Sequence, residues 1–504
     1  MEMETVLGLI TIGNVTTILL AVVTVYITRC ISKMIFFPPG FPPGERGLPF
    51  LGVLPYLGEH PHNVLKEWSY KHGDIMAIKL GTTNAVIVSS QSTLNEVFVK
   101  RASAISDRFT NEFFTQILLH RGIFNSAYTE RLKIQRKFVH QALHRNLINN
   151  KTPEERINEE IQYFIREIHS QDGKPFHAHH MLLSSVTNVI CSIVLGKRFE
   201  YNDKWFTKIM SCIVESLAHS GPSFLLPISI YPWLIHFPPF RRINVRFRKS
   251  FATFAELIQQ DIDEHKSSFD ENNLRDLIDA FLFEMKKEGH HSSFDELQLC
   301  VIVRELLLAG NETTGSQIAW LLLALMHFPK WQDRIHREIV DNIGENGVLK
   351  LDDRKKLPCT CAFIQETLRL HSIGSLNAPH KVSRDTEVKG YKIPAGTMVM
   401  SNVFAIHTDP KVWTDPETFD PSRHLNEVGS FINSSKMSPF SLGPRQCIGK
   451  TIAENKMFLY FGNICQKFRI VSETPTPITL HEGQSGFVFS PKEHKVIAIA
   501  YSSK

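Results

Sequence analysis

The sequence predicts a mostly helical fold with small antiparallel β-sheets, preceded by one N-terminal transmembrane helix. Three observations carry this prediction. Apolar residues recur at helical spacing from about residue 91 to 345, short apolar alternations between turn residues flank this region, and the stretch from Thr5 to Thr28 contains no charged side chain. The chain has 504 residues, but no long linker interrupts it after residue 50, so we expect one large domain.

The N-terminal residues 1–33 are predicted to form a membrane anchor. As a helix, the uncharged stretch would span about 36 Å, which is enough to cross a hydrocarbon core of ~30 Å. Two acidic residues precede it, and Arg29 and Lys33 follow it. Because positive flanks stay in the cytoplasm, the body of the protein should face the cytosol. The alternative, a cleaved signal peptide, would need basic residues before a shorter apolar run.

Residues 34–52 are predicted to form a stiff hinge, which leaves residues 53–504 as the globular domain. Five prolines in the hinge, at positions 38, 39, 42, 43 and 49, exclude a helix and favour an extended path. A second apolar stretch, from Phe224 to Phe237, is rich in proline and aromatic residues and shows no helical period. We expect it to contact the bilayer, with an ordinary buried loop as the alternative.

The elements of the globular domain follow from local patterns. Ile75 to Gly81 and Asn84 to Ser90 are typical of two strands around a turn. Asn273 to Met285 has the apolar spacing of a helix, and residues 293–327 are predicted to form one long helix. Further strands are expected within 386–400, near 468–470 and within 495–500.

Composition narrows the classes of partner. The formal charge of +5 is too small to indicate nucleic acid, but it suits an anionic membrane surface or an acidic protein. Eight cysteines are scattered through the chain without the paired spacing of a metal site, which predicts a reduced, cytosol-facing protein. Cys359 and Cys361 form an isolated pair that we interpret as incidental.

The most informative segment runs from Phe440 to Gly449, with the sequence FSLGPRQCIG. Cys447 lies in a short loop that can present its thiolate to a metal. Gly443 and Gly449 let the backbone approach a flat ligand, and Arg445 offers planar donors to a carboxylate. Together these features predict a haem, with the sulfur on the iron and the guanidinium on a propionate. The alternative is that Cys447 is a buried structural cysteine.

The pattern F-x-x-G-x-R-x-C-x-G resembles the haem-binding loop of cytochrome P450 enzymes. This resemblance implies the cytochrome P450 fold, a haem-thiolate catalytic domain over residues 53–504, and haem b (iron protoporphyrin IX) as cofactor. Cys447 would be the axial ligand of the haem iron, and Phe440, Gly443, Arg445 and Gly449 would bind the cofactor. The anchor and hinge resemble those of microsomal members, which implies a single-pass protein of the endoplasmic reticulum membrane with a cytosolic catalytic domain.

The middle of the long helix reads Ala309-Gly-Asn-Glu-Thr-Thr314 and resembles the A-G-x-[DE]-T-[TS] centre of the distal helix in the same family. By this resemblance Glu312 and Thr313 are catalytic. Thr313 would steady the reduced oxygen ligand, and Glu312 would help deliver the protons that cleave the O–O bond. The alternative is a solvent-facing helical segment with a polar kink.

Other positions match the surroundings of the haem in the family. Glu366 and Arg369 share a helix face, and the resemblance implies that they form a buried structural triad with Arg423. His380 and Arg136 resemble the remaining propionate partners, and ordinary surface charges are the alternative. The family often has tryptophan four residues before this arginine, whereas this chain has Leu132, so one donor to the propionate is missing.

The implied reaction is monooxygenation, in which one atom of O2 enters an apolar substrate such as a steroid, fatty acid, terpenoid or xenobiotic. NADPH would act only through a partner, NADPH–cytochrome reductase, with cytochrome b5 as a further candidate. Four lysines are expected at the docking face, and a solvated surface is the alternative: Lys133, Lys137, Lys436 and Lys450. Five aromatic residues are candidates for the substrate pocket: Phe113, Phe114, Phe224, Phe487 and Phe489.

Two other functions remain open from the sequence. One is a haem-thiolate isomerase or dehydratase that rearranges peroxides without O2. The other is a haem-bearing ligand-binding protein without turnover.

Overall fold

The computed structural model describes residues 2–110, 121–144, 151–218, 222–287, 293–481, 483–486 and 488–501. Helices dominate these ranges, as the periodicity predicted. The α-helices are α1 Glu2–Ile35, α2 Pro61–His72, α3 Gln91–Asn95, α4 Ala102–Ile105, α5 Glu130–His144, α6 Pro153–Ser170, α7 Ala178–Val194, α8 Lys204–Ala218, α9 Pro222–Ile230, α10 Phe240–Ser267, α11 Leu277–Lys286, α12 Glu296–His327, α13 Pro329–Ile343, α14 Pro358–Leu370, α15 Val403–His407 and α16 Lys450–Lys467.

In the sequence, the strands lie before and after the long helical region of the globular domain, within residues 44–108 and 380–500. They are β1 Gly44–Glu45, β2 Ile75–Leu80, β3 Thr83–Val88, β4 Asp107–Arg108, β5 His380–Lys381, β6 Thr386–Val388, β7 Tyr391–Ile393, β8 Met398–Ser401, β9 Phe468–Ser472, β10 Gly483–Ser485, β11 Phe489–Pro491 and β12 Val496–Ala500. The two strands predicted around a turn are confirmed as β2 and β3, and strands also occur at the three later positions that the sequence indicated.

The largest sheet corrects the prediction that the small sheets are antiparallel. It has six strands in the order β1-β2-β3-β8-β5-β4, and both the β1–β2 and the β3–β8 pairs are parallel. The pairs β6–β7, β9–β12 and β10–β11 are antiparallel, as predicted. Local patterns locate strands, but β3 pairs with β8 across most of the chain, and no local pattern fixes the direction of that pairing.

The N-terminal helix α1 covers the predicted anchor. Within the residues that the structure describes, no helix combines the length and the apolar character needed to cross a membrane. The membrane-spanning part of the prediction is therefore not shown.

The end of the predicted hinge belongs to the main sheet. Phe41 is buried, and Gly44–Glu45 pairs in parallel with Ala77 and Ile78 of β2. The Ala77 amide also donates to the carbonyl of Pro43 at 2.8 Å. The chain is therefore fixed to the globular domain from about residue 41, before the hinge was expected to end.

The long helix α12 runs through the core and begins at Glu296, three residues later than predicted, where Asp295 caps it. Trp320 is fully buried in it. Two glycines let α7 pack closely against it, since a Cβ on Gly310 would lie 2.6 Å from Ile190 and one on Gly315 would lie 2.7 Å from Leu183. The centre of α12 is thus held at a fixed distance from α7.

The segment from Phe224 to Phe237 is helical, although its sequence shows no helical period. It contains most of α9 and a 3₁₀ turn over Pro232–His236, with Pro227 inside α9. The absence of a helical period in the sequence therefore did not prevent helix formation here, and bilayer contact stays a prediction. Trp233 and Phe237 are more than half exposed, at 57% and 55%.

Candidate active site

Cys447 lies in the loop that precedes α16. Its amide donates to the carbonyl of Phe440 at 3.0 Å, which closes the loop, and α16 begins three residues later. The side chain of Cys447 is exposed. Although this side chain reaches solvent, the protein atoms packed around the sulfur raise the pKa of the thiol overall, while the Gly449 amide and Arg136 oppose the rise. A thiol beside a helix N-terminus, an amide donor and a guanidinium is suited to bind a cation as the thiolate.

The two glycines of the loop have different environments. Gly443 has φ +76°, and a Cβ there would lie 1.9 Å from the carbonyl oxygen of Phe98. Gly443 is therefore required by the protein's own packing, a reason that the sequence analysis did not contain. An added Cβ on Gly449 meets no described protein atom within 4 Å, so the packing alone does not require glycine there.

Arg445 is buried with part of its guanidinium unpaired. Its Nη2 donates to the carbonyls of Phe124 at 2.7 Å and Ser126 at 3.1 Å. Its Nε and Nη1 are buried and have no hydrogen-bond partner in the described part of the chain. Buried donors are rarely left unpaired, so these two nitrogens indicate a site for an anionic group.

Two further arginines face Arg445. Burial lowers the pKa of Arg108, and the charges of Arg445 and Arg136 lower it further, so the three guanidiniums lie close together. Arg136 donates to the carbonyl of Gln446 at 2.5 Å, and Arg108 donates to the carbonyl of Ala378 at 3.0 Å. A cluster of cations of this kind is stabilised by an anion placed among them.

His380 lies on β5 at the same edge. It is 3% exposed, and its Nδ1 lies 2.7 Å from the carbonyl oxygen of Ile105. Burial lowers the pKa of His380, and Arg108 and Arg445 lower it further. The structure therefore brings together the predicted residues Arg136, His380 and Arg445, and it adds Arg108, which the sequence analysis missed.

Leu132 does not contribute a polar group to this edge. Its side chain is 2% exposed and belongs to the main hydrophobic core. A cavity of about 380 Å³ has both Leu132 and Arg108 in its wall. Arg108 is therefore a charged residue in the wall of the same cavity as Leu132.

Glu305 fixes the loop that binds Arg445. Its carboxylate accepts the amides of Ile123 at 2.6 Å and Phe124 at 3.2 Å. Burial raises its pKa to about 7, although these amides and the charge of Arg445 oppose the rise. The sequence analysis missed this residue. An available signal was an acid inside a strongly apolar part of the long helix, seven residues and hence two turns before Glu312.

The predicted catalytic pair lies at the centre of α12. Ala309 is exposed, and the hydroxyl of Thr313 donates to its carbonyl at 2.7 Å. Burial raises the pKa of the half-buried Glu312, and a hydrogen bond from Ser316 opposes the rise. Lys456 reaches α12 from α16 and donates to the carbonyl of Gly310 at 3.1 Å. An acid and a hydroxyl therefore lie side by side near an open helix surface.

The buried charge cluster behind the loop is confirmed. Glu366 binds Arg369 at 2.8 Å and Arg423 at 3.0 Å. His424 is a fourth member, with its Nε2 2.9 Å from the Glu366 carboxylate, and the sequence analysis did not include it. Glu366 and Arg369 are both fully buried, so this cluster fixes the packing of α14 against the segment that carries Arg423.

Comparison with known proteins decides the family. The family model described as cytochrome P450 matches residues 42–498. The chain belongs to the cytochrome P450 family. It is 31% identical over 486 residues to cytochrome P450 2J5 of Mus musculus, covering 96% of each chain. It is also 31% identical to cytochrome P450 2J2 of Homo sapiens, covering 92% of each, and 31% identical to human cytochrome P450 2U1, covering 86% of this chain and 79% of that one.

This cytochrome P450 is a monooxygenase, and the cofactor of its family is haem b. The residues present fit that group. The unpaired Nε and Nη1 of Arg445, with Arg108 and Arg136 beside them, suit the carboxylates of a porphyrin, and the thiol of Cys447 suits its iron.

Most of the candidate pocket residues lie outside the described structure. Phe113, Phe114 and Phe487 are outside the described residues, and the side chain of Phe224 is not described either. Phe489 stacks on the buried Trp320, with ring centroids 5.5 Å apart, and its carbonyl accepts from the indole nitrogen at 3.1 Å. These contacts favour a packing role for Phe489.

Proposed function

We propose that this cytochrome P450 oxygenates a lipophilic small molecule at the endoplasmic reticulum membrane, with electrons that come from NADPH through NADPH–cytochrome reductase. The substrate class is a steroid, fatty acid, terpenoid or xenobiotic. In this proposal the thiolate of Cys447 would bind the haem iron. Arg445, Arg136, His380 and Arg108 bind the propionates, and Phe440, Gly443 and Gly449 shape the loop.

When bound, the haem supplies the activation of O2, which its thiolate ligand favours. The chain's own residues have separable tasks. The short loop and the start of α16 hold the sulfur of Cys447 in one place. The guanidinium cluster orients the cofactor edge, while Glu305 fixes the backbone carbonyls that in turn hold Arg445. Glu312 and Thr313 provide a proton and a hydroxyl at the exposed surface of α12.

The observation that carries the proposal is the acid–alcohol pair of Glu312 and Thr313. A monooxygenase must deliver protons to reduced oxygen, whereas an isomerase or dehydratase that rearranges peroxides has no such need. The raised pKa of Glu312 supports a role in proton delivery, because a carboxyl that ionises nearer neutral pH both gives and takes up protons.

The first test compares two oxidants. Glu312→Ala should lose at least about tenfold in turnover with NADPH, O2 and reductase, because general acid assistance contributes ~10²–10⁴ in rate. The same variant should keep its turnover with a supplied organic peroxide, which does not need the delivered protons. Equal losses of turnover in both assays would contradict the role assigned to Glu312. If the protein converts a peroxide with no reductant present and forms no oxygenated product, the isomerase is favoured instead.

The second test concerns cofactor and substrate. The ferrous–CO spectrum of the purified protein should show thiolate ligation, and Cys447→Ala should abolish it. A spectral binding screen of steroids, fatty acids and terpenoids should then find ligands that shift the haem spectrum. A protein that binds such ligands but forms no oxygenated product with NADPH and reductase would be a carrier instead.

A membrane location is supported by an exposed apolar surface as well as by the predicted single-pass anchor. Leu48, Phe50 and Leu51 are 46–59% exposed in the hinge, and Trp233 and Phe237 are similarly exposed. The hydroxyl of Tyr231 binds the carbonyl of Phe50, so the two segments are adjacent. We propose that this surface enters the membrane interface, where aromatic side chains are favoured.

Docking of the reductase is proposed at the face near Cys447. Lys133, Lys137 and Lys436 are exposed, and Lys450 is half-buried at the start of α16. Positive charges of this kind would steer an acidic flavoprotein or cytochrome b5. Their replacement by glutamate should slow reduction of the haem and weaken the dependence of that rate on salt, with little change in substrate-induced spectra.

A further inference from the structure

Glu312 needs its own source of protons if it is to donate repeatedly. It lies half-buried at the centre of the long core helix α12. Ser316, whose hydroxyl opposes the rise in the pKa of Glu312, is one turn further along the same face of the helix and is fully buried. The first step away from Glu312 therefore leads into the protein, towards α7.

Ser316 has a second partner across the helix interface. Its Oγ lies 3.2 Å from Nε2 of His179, near the start of α7. A hydroxyl both donates and accepts, so Ser316 can bond the carboxylate and the imidazole at the same time. His179 itself is half-buried, which places it between the interior and the surface.

Other titratable groups surround His179 on its outer side. The rings of His177 and His180 stack with their centroids 5.5 Å apart, and His180 is exposed. His494 and His180 lie close enough for their charges to add to the effect of burial, which lowers the pKa of His179 to about 4. Glu493 lies 3.4 Å from Nδ1 of His177. We call His177, His180 and His494 the histidine surface.

The packing of α7 on α12 holds this geometry. Gly315, the residue before Ser316, leaves no room for a Cβ beside Leu183. The fully buried amide of Asn311 donates to the carbonyl of Leu183 at 3.2 Å, and it also bonds the hydroxyl of Thr187. The imidazole of His179, one turn before Leu183 in α7, is thereby kept at hydrogen-bonding distance from Ser316.

We propose that Ser316 and His179 form a proton relay that resupplies Glu312 from the histidine surface. The hydroxyl of Ser316 gives its proton to the Glu312 carboxylate while its oxygen takes the proton from Nε2 of His179. In the same step Nδ1 of the imidazole takes up a proton from water or from the histidine surface, so that the ring stays neutral and no imidazolate forms. One proton moves from solvent to Glu312, and no electrons are transferred. This inference rests on the proposed role of Glu312.

The relay requires a neutral imidazole, with one nitrogen that donates and one that accepts. The lowered pKa of His179 keeps its imidazole neutral at physiological pH. If the bond between Ser316 and His179 only holds α7 against α12, it requires contact between the two side chains but no transfer of protons. A relay and a purely structural bond therefore predict different solvent deuterium isotope effects and different titrations of the Glu312 carboxyl band.

The first measurement is independent of turnover. The carboxyl band of Glu312 is identified by infrared difference spectroscopy of the wild type against Glu312→Gln, and its pH titration is recorded. Ser316→Ala should raise the apparent pKa of Glu312, since the serine hydroxyl is the group that lowers it. Ser316→Thr, which keeps the hydroxyl, should restore it. A band that Ser316→Ala leaves unmoved would overturn the relay.

The second measurement uses the reconstituted enzyme with NADPH, reductase and O2. Ser316→Ala and His179→Phe should each lower the product formed per NADPH by about tenfold and should change the solvent deuterium isotope effect on product formation. Ser316→Thr should recover both. Ser192→Ala is the control, because the hydroxyl of Ser192 bonds only the Val189 carbonyl of its own helix among the described contacts.

The outcomes separate this inference from the proposed function. If Glu312→Gln loses product while Ser316→Ala and His179→Phe keep the wild-type isotope effect and yield, the relay is refuted and the monooxygenase stands. If even the wild type forms no oxygenated product, the proposed function fails, and the infrared titration alone decides whether Ser316 is bonded to Glu312.

Discussion

Removal of the charge of Glu366 should destabilise the whole protein. Its carboxylate accepts five hydrogen bonds of 2.8–3.0 Å, two from Arg369 and one each from Arg423, His424 and the amide of Asp420. Glu366→Gln keeps the size of the side chain but removes the charge. It also places an NH2 group against arginine donors and leaves the fully buried Arg369 without its anion.

The magnitude follows from two independent considerations. Burial raises the pKa of Glu366, but Arg369 and His424 outweigh it and hold the pKa at about 2, against 4.5 for a free side chain. That difference corresponds to about 3 kcal/mol, since one pKa unit is ~1.4 kcal/mol. Breaking a buried pair by removing one partner costs ~3–5 kcal/mol. We therefore expect the free energy of unfolding to fall by about 3–5 kcal/mol.

The sign of the pH dependence is fixed by the lowered pKa. The carboxylate contributes stability above its unfolded pKa of about 4.5, and this contribution is lost as the pH falls towards about 2. The difference in free energy of unfolding between the wild type and Glu366→Gln should therefore be largest at pH 7 and should decrease below pH 4.5.

The assay is urea unfolding followed by tryptophan fluorescence, with the thiolate form of the ferrous–CO complex as a second probe. Glu130→Gln is the matched control, because Glu130 forms an ion pair with Lys133 at the same i, i+3 spacing but is 81% exposed. It should cost less than about 1 kcal/mol. A loss below about 1 kcal/mol for Glu366→Gln, or one that does not change between pH 7 and pH 3, would refute the reasoning.

Three further predictions concern the loop and the long helix. Gly443→Ala should yield little holoprotein, because φ +76° disfavours alanine and its Cβ would meet the carbonyl of Phe98; normal haem content after purification would contradict this. Gly449→Ala should keep the circular dichroism of the wild type but bind haem less tightly, since no described protein atom lies within 4 Å of an added Cβ; unchanged haem affinity would show that no flat ligand lies there. Lys456→Met should stabilise the protein at pH 7, because burial alone lowers the pKa of Lys456 from 10.5 to about 7. Above pH 7 the free energy of unfolding of the wild type, measured with denaturant, should rise relative to that of the variant by about 1.4 kcal/mol per pH unit, because the unfolded state then binds one proton more than the folded state. A difference that stays constant with pH would rule out a neutral lysine.

The parts of the site that could be predicted from the sequence lie in continuous segments. The cysteine loop and the Glu312–Thr313 pair are short motifs whose own residues are neighbours in the chain. The residue types of the cysteine loop indicate a haem site, and the resemblance to the family supplied the roles of Glu312, Thr313, Arg136, His380 and Arg423. The long helix was also predicted to within three residues, because apolar residues dominate the stretches on both sides of its polar centre.

The parts that could not be predicted depend on contacts between distant segments. Arg108 joins the guanidinium cluster only because β4 pairs with β5, which lies about 270 residues later. Glu305 stands out in the sequence as an acid in an apolar part of the helix, but its role does not, because its partners are main-chain amides of a distant loop. The parallel direction of the β3–β8 pairing was not predicted either, because these strands are distant in the chain. The membership of the guanidinium cluster, the role of Glu305 and the strand direction are therefore fixed by tertiary contacts and not by local sequence patterns.

The pairing of Gly44–Glu45 with β2 determines where the chain can be shortened for expression. A form that begins near residue 36 loses the N-terminal helix but keeps the edge strand and the buried Phe41. A form that begins at residue 53 removes that strand and leaves the backbone of Ala77 and Ile78 without its partner. Because unpaired sheet edges recruit other chains, the shorter form should precipitate although no residue of the site has been removed.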